Sequence, residues 1–150
     1  MHVNTAFSRS SPPELVTEIK ERCVTFEVCL TSNVARKFKV NSYFDHPVKT
    51  MWRERIPFTL SMDNWMLSGD EENRPTPAGE VAHFVNDVIK DEGWREAVRF
   101  SLESGLKAAF SPAVTGSFKT AFMARVDEVL QPRPLTKMGG TKGLQRNALV

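Results

Sequence analysis

Apolar positions change period repeatedly along the chain, and each change marks an element. Ser11-Pro12-Pro13-Glu14 reads as a helix start, with a capping serine, prolines suited to the first turn and an acid three residues on. Leu15, Val16, Ile19 and Cys23 then recur at helical spacing. Val24 to Leu30 is rich in β-branched and aromatic types and reads as a strand that ends in Thr31-Ser32-Asn33. After a polar loop to Asp45, His46-Pro47 opens a short helix with Val48, Met51 and Trp52 on one side. Arg55 separates it from a second apolar strand, Ile56 to Ser61. Helix, strand, helix, strand is the alternation of a parallel sheet covered by helices, whose buried strands need continuous apolar runs.

The second half reads as helical. Thr76-Pro77 starts the longest helix, with Val81, Phe84, Val85, Val88 and Ile89 as its stripe and Gly93 as its end. A third helix carries Trp94, Ala97, Val98, Ser101, Leu102 and Gly105 on one face, and the small residues imply close packing. Ser111-Pro112 interrupts the pattern before a last stripe of Phe118, Ala121, Phe122, Val126 and Val129. These elements give a domain over 1–130. Residues 131–150 lack periodicity and are rich in Pro, Gly and basic types, so a disordered basic tail is expected there. No internal repeat is evident in the sequence.

Charge removes one class of function. Of 20 basic residues the tail holds Arg133, Lys137, Lys142 and Arg146, with no acid, so the remainder has 16 basic against 18 acidic residues. A globular part of that balance gives no support to binding of nucleic-acid backbone. No segment has the length or apolarity of a membrane span, and the N-terminus lacks the apolar core of a signal peptide. Cys23 and Cys29 have neither zinc-knuckle nor redox spacing and are expected as buried free thiols in a reducing, cytoplasmic setting.

In parallel α/β folds, functional side chains sit where strands end and loops lead into helices. Two such ends are visible, Thr31-Ser32-Asn33 and Met62-Asp63-Asn64. An aspartate there can ligate a metal or hold a water, and an asparagine can both donate and accept. A plain capping or turn role for Asp63 and Asn64 is the alternative.

EVCLTSN, then DHP, then IPFTLSMDN with Asp63 thirty positions after Asn33, resembles the C-terminal part of adenosine deaminases. WREAVRFSLESGLKAAFSP resembles that family's next helix and DEVLQP the end of its domain, so the resemblance runs from Pro13 to Pro132. It implies the C-terminal portion of a (β/α)8 TIM-type barrel, with two to three strands present and the barrel incomplete. It also implies hydrolytic deamination of adenosine to inosine by zinc-activated water. Asp63 falls on the family's zinc-ligating, water-orienting aspartate, and Asn64 on the residue that hydrogen-bonds N7 of the purine. Most members have aspartate at the second position. Since N7 accepts, an asparagine amide preserves that contact without needing a proton. Met62 replaces the usual threonine, and nothing in the sequence accounts for it. His2 in MHVNTAF matches the tail of a Gly-His motif whose histidine acts catalytically, with Met1 where glycine belongs and a one-residue misfit.

A complete barrel of this kind needs about 250 residues. The family's His-x-His pair and its His-x-x-Glu element do not occur in these 150 residues. The expectation is therefore an inactive fragment that would not retain zinc alone: a truncated gene, a pseudogene product, or a piece completed by a separate N-terminal half in order to take a purine nucleoside. Two alternatives stand beside it: a non-enzymatic interaction module, and part of a deaminase of another purine such as AMP. His83 is expected to face solvent, His46 to serve as a helix-start residue, and Glu27 to be a packing or surface residue.

Overall fold

The computed structural model describes residues 11–35, 40–62, 75–90, 93–109, 111 and 114–131. His2, Asp63, Asn64 and all but the first residue of the 131–150 tail lie outside them. The described part is a mostly helical α/β arrangement around a two-stranded parallel sheet, consistent with part of a TIM-barrel-type domain. Its order is α1 (Pro13–Glu21), β1 (Phe26–Val28), α2 (Leu30–Ala35), a 3₁₀ turn (Tyr43–Asp45), α3 (Val48–Arg53), β2 (Phe58–Leu60), α4 (Pro77–His83), a π-helical continuation (Phe84–Ile89), α5 (Trp94–Ala108) and α6 (Gly116–Leu130).

The strands pair with Phe26 opposite Phe58, Glu27 opposite Thr59 and Val28 opposite Leu60. The ladder is extended at both ends, by Phe26 N–H to the Pro57 carbonyl at 3.0 Å and Ser61 N–H to the Val28 carbonyl at 2.9 Å. Both strands arrive by the same device. After α1, Cys23 takes φ 50°, Cys23 N–H bonds the Lys20 carbonyl and Val24 N–H bonds the Ile19 carbonyl. After α3, Arg55 takes φ 56°, Arg55 N–H bonds the Trp52 carbonyl and Ile56 N–H bonds the Met51 carbonyl. This is the Schellman arrangement, with a left-handed residue just past each helix. The two residues stand in the same place relative to Phe26 and Phe58. A structural repeat of helix, left-handed cap and strand is thus present where the sequence shows none.

The core gathers Phe26, Val28, Leu30, Val48, Met51, Ile56, Phe58 and Phe84, all fully buried. Phe58 stands edge-on to Phe84 at 5.6 Å between ring centres and tilted against Phe100 at 5.7 Å. The small residues of α5 pack as expected. Ser101 Oγ accepts the Leu60 N–H at 3.0 Å, capping a strand donor that would otherwise face a helix. A Cβ on Gly105 would lie 3.1 Å from the Thr59 hydroxyl, so the glycine permits α5 to close on β2.

Several expectations are corrected. β1 is shorter than the apolar run, because Leu30 and the whole of Thr31-Ser32-Asn33 belong to α2. The helix from Pro77 changes winding at Phe84, since bonding five residues apart brings Phe84 and Ile89, both buried, onto one face. Cys29 is buried, but Cys23 is exposed, because the left-handed turn ends α1 before the helical stripe reaches it. Ile19 is buried while Leu15 is exposed, so the first stripe is narrower than its periodicity. His83 is half-buried, stacked on Tyr43 at 4.2 Å and paired with Asp87 at 2.7 Å. Glu27, by contrast, is a surface residue, one of the two roles expected for it. No residue of α6 is buried, and Phe118 and Val129 stand exposed on it.

Candidate functional site

The parallel register sets the two strand ends side by side. Val28 pairs with Leu60, after which one chain turns into α2 and the other continues through Ser61 to Met62, the residue before Asp63. The described part of this end is built on α2, a helix of six residues that would not hold alone. Two buried polar side chains from elsewhere hold it.

The first is Glu80 of α4, 1 % exposed. Its carboxylate accepts the Leu30 N–H at 2.7 Å and the Thr31 N–H at 3.2 and 3.3 Å. First-turn N–H groups have no partner within their own helix, so a carboxylate meets both the hydrogen-bonding need and the positive end of the dipole. α4 is aimed by its own start, where Thr76 Oγ1 accepts the Gly79 N–H at 2.9 Å and Pro77 fills the first position.

The second is His46, also 1 % exposed. Its Nδ1 accepts the Val48 N–H at 3.1 Å, and its Nε2 lies 2.9 Å from the buried Asn33 side-chain amide. An imidazole whose Nδ1 accepts carries its proton on Nε2; the Asn33 amide nitrogen stands 2.9 Å from that atom, so the bond forms with the amide turned end for end to present its oxygen to the Nε2–H. Burial lowers the His46 pKa from 6.5 to about 4, because the charged ring would lose its hydration. His46 is thus a neutral link between α2 and the start of α3.

Sequence reasoning reached His46 as a helix-start residue and Asn33 as a strand-end residue, but not their contact. It passed over Glu80. The signal was present: Glu80, Phe84 and Val88 recur every four residues, which puts a carboxylate in an apolar stripe. Asp63 and Asn64, the metal and substrate candidates, and His2, the catalytic candidate, lie outside the described residues. Among the described residues no three His, Cys, Asp or Glu side chains come together as a metal site. No helix among them is long and apolar enough to cross a membrane.

A family profile described as adenosine deaminase matches residues 6–118. The chain belongs to the adenosine deaminase family. It is 28% identical over 125 residues to an adenosine deaminase of Mycobacterium avium, an alignment covering 83% of this chain and 30% of that one. It is 28% identical over 99 residues to an adenosine deaminase of Clostridium kluyveri, covering 65% and 26%. An aminodeoxyfutalosine deaminase of Streptomyces coelicolor is 33% identical over 66 residues, covering 44% and 17%. The chain therefore spans less than a third of the length of these relatives. No solved structure matches. The family is generally zinc-dependent, and the described residues supply no ligand set for the ion.

Proposed function

We propose that this chain supplies the last strand ends of a purine-nucleoside deaminase, and that the complete protein converts adenosine to inosine by hydrolysis. The observation that carries the reading is the family match across 6–118, which includes both paired strand ends and the Asp63-Asn64 step that follows the second. In this reading residues 1–130 are the final part of a (β/α)8 barrel, and 131–150 are an appended basic tail. Asp63 contributes one carboxylate to the metal and orients the attacking water. Asn64 donates its amide N–H to N7 of the purine, holding the ring for attack at C6. His2 is the candidate for the histidine that steadies the developing hydroxide. A zinc ion, when bound, supplies Lewis acidity toward water. The other ligands and the general acid come from a segment that supplies the His-x-His and His-x-x-Glu elements, in the same protein or in a partner chain. Substrate and partner are thus a purine nucleoside and an N-terminal half, in a cytoplasmic setting.

The kinship with an aminodeoxyfutalosine deaminase favours a second reading, in which the same site takes that substrate. One experiment separates them. The chain is assayed with zinc, alone and joined to the N-terminal part of a matched adenosine deaminase, against adenosine, AMP and aminodeoxyfutalosine. Adenosine turnover by the joined protein is the expected result. Turnover of another member of the panel in its place would move the assignment to that substrate, and no ammonia from any of them would overturn the deaminase reading.

A further inference from the structure

α6 carries an apolar stripe that the rest of the described chain leaves open. Phe118, Ala121, Phe122 and Val129 recur along it at helical spacing, and the rings of Phe118 and Phe122 stack at 6.0 Å. Phe118 is 48% exposed and Val129 56%. The helix meets the fold on another side. Arg99 Nε of α5 donates to Asp127 Oδ1 at 2.6 Å, and Leu130 packs against the core. Met123, Asp127 and Leu130, all half-buried, make up that side, and the stripe is turned away from it. A helix of fifteen residues is marginal in water unless its apolar face is covered, and an apolar face left open marks an interaction surface.

Charge and length choose the occupant. Arg125 interrupts the stripe and pairs with Glu128 on its flank. Pairing the stripe with a second copy, parallel or antiparallel about its middle, would bring two Arg125 guanidinium groups within about one turn of each other. Residues 132–150 add Arg133, Lys137, Lys142 and Arg146 without an acid, and would bring like charge to the same group. Length points elsewhere. The alignment with the Mycobacterium avium adenosine deaminase covers 83% of these 150 residues, so wherever it starts it takes in Phe118, Ala121 and Phe122. It covers only 30% of that enzyme. The first half of α6 thus belongs to what the two proteins share, while most of the relative lies outside the shared stretch. We infer that the stripe of α6 is the docking face for the N-terminal part of the deaminase domain. The inference rests on the deaminase reading for its occupant, but docking can be measured without turnover.

The experiment has two arms. Thiol labelling, read peptide by peptide, compares Phe118→Cys, Val129→Cys and Ala124→Cys, the last exposed and off the stripe. In the 150-residue chain all three should label at rates within about three-fold, whatever the protein concentration. In the joined protein of the assay above, the first two should slow at least about ten-fold, while Ala124→Cys stays within about two-fold. No such slowing, or an equal one at all three, would overturn the docking. Slow labelling of the first two in the chain alone would overturn it as well, a dependence on concentration naming a second copy and relief on removing 132–150 naming the tail. The second arm replaces Phe118→Asp and Val129→Asp together. The melting temperature of the chain alone should not move, because both positions already stand in water, and that of the joined protein should fall by at least about 5 °C. Equal shifts in the two, or none in the joined protein, would overturn the inference. Protection without ammonia release would overturn the deaminase activity and leave the docking, turnover without protection would do the reverse, and the absence of both would overturn both.

Discussion

Protonation of His46 should cost this protein stability between pH 7 and pH 4. Both ring nitrogens are committed in the neutral form, Nδ1 to the Val48 N–H and Nε2 to Asn33, and the ring is 1 % exposed. A proton on Nδ1 would face the Val48 N–H donor with another donor and break the start of α3. Burial holds the folded pKa at about 4, against the ordinary 6.5. At about 1.4 kcal/mol per pH unit, that difference is worth about 3–4 kcal/mol. The unfolded chain takes up the proton first. The contribution is therefore whole above pH 6.5, shrinks as pH falls, and is gone below about pH 4. Glu103 and Asp127, held low by Lys107 and Arg99, begin to lose their contributions as pH falls past the ordinary carboxylate values of 4.5 and 3.8 and finish below them. Urea unfolding from pH 7.5 to 4.5, for wild type and His46→Asn, measures the difference. Wild type should lose about 1 kcal/mol per pH unit near pH 5 from this ring, and the variant should lack that slope while being less stable at pH 7.5. Equal slopes in the two proteins would refute the reasoning.

Three further outcomes are expected. Phe58→Ala removes a fully buried ring that touches Phe84 and Phe100, and should cost about 3–5 kcal/mol in denaturant unfolding, a cost too large for a surface position. Cys23→Gly relieves a side chain held at φ 50° and should raise stability by up to about 1 kcal/mol, and a loss would mean that the thiol packs usefully. Under native conditions a thiol reagent should titrate Cys23 quickly and Cys29 only on unfolding, as seen in the time course of labelling.

The parts of this fold that show in the sequence are those where one local cause dominates. Thr76-Pro77 caps and opens α4 as its chemistry requires, and Ser101 and Gly105 lie against β2 as small residues spaced at helical intervals should. The apolar run from Val24 to Leu30 reads as one strand for a physical reason: a short buried run has no period, and the switch to helix at Leu30 depends on a carboxylate fifty residues away. The left-handed residues at Cys23 and Arg55 are invisible for the same kind of reason. Neither is glycine, so only the long-range pairing of the strands that follow shows that the chain must reverse there. The strand-end residues were legible as chemistry through Asp63 and Asn64, whereas the groups that hold the described part of that end, Glu80 and the His46–Asn33 pair, emerge only from packing.

The claim that this chain carries the water-orienting and purine-holding end of a deaminase is tested most directly at Asp63. In the joined protein, adenosine turnover and zinc content are measured together for wild type, Asp63→Ala and Asn64→Ala. The account predicts that Asp63→Ala loses both metal and turnover. Asn64→Ala should keep its zinc and lose about ten- to a hundred-fold in kcat/KM, the effect of one missing donor to a buried acceptor. Full zinc and full rate in Asp63→Ala would contradict the account.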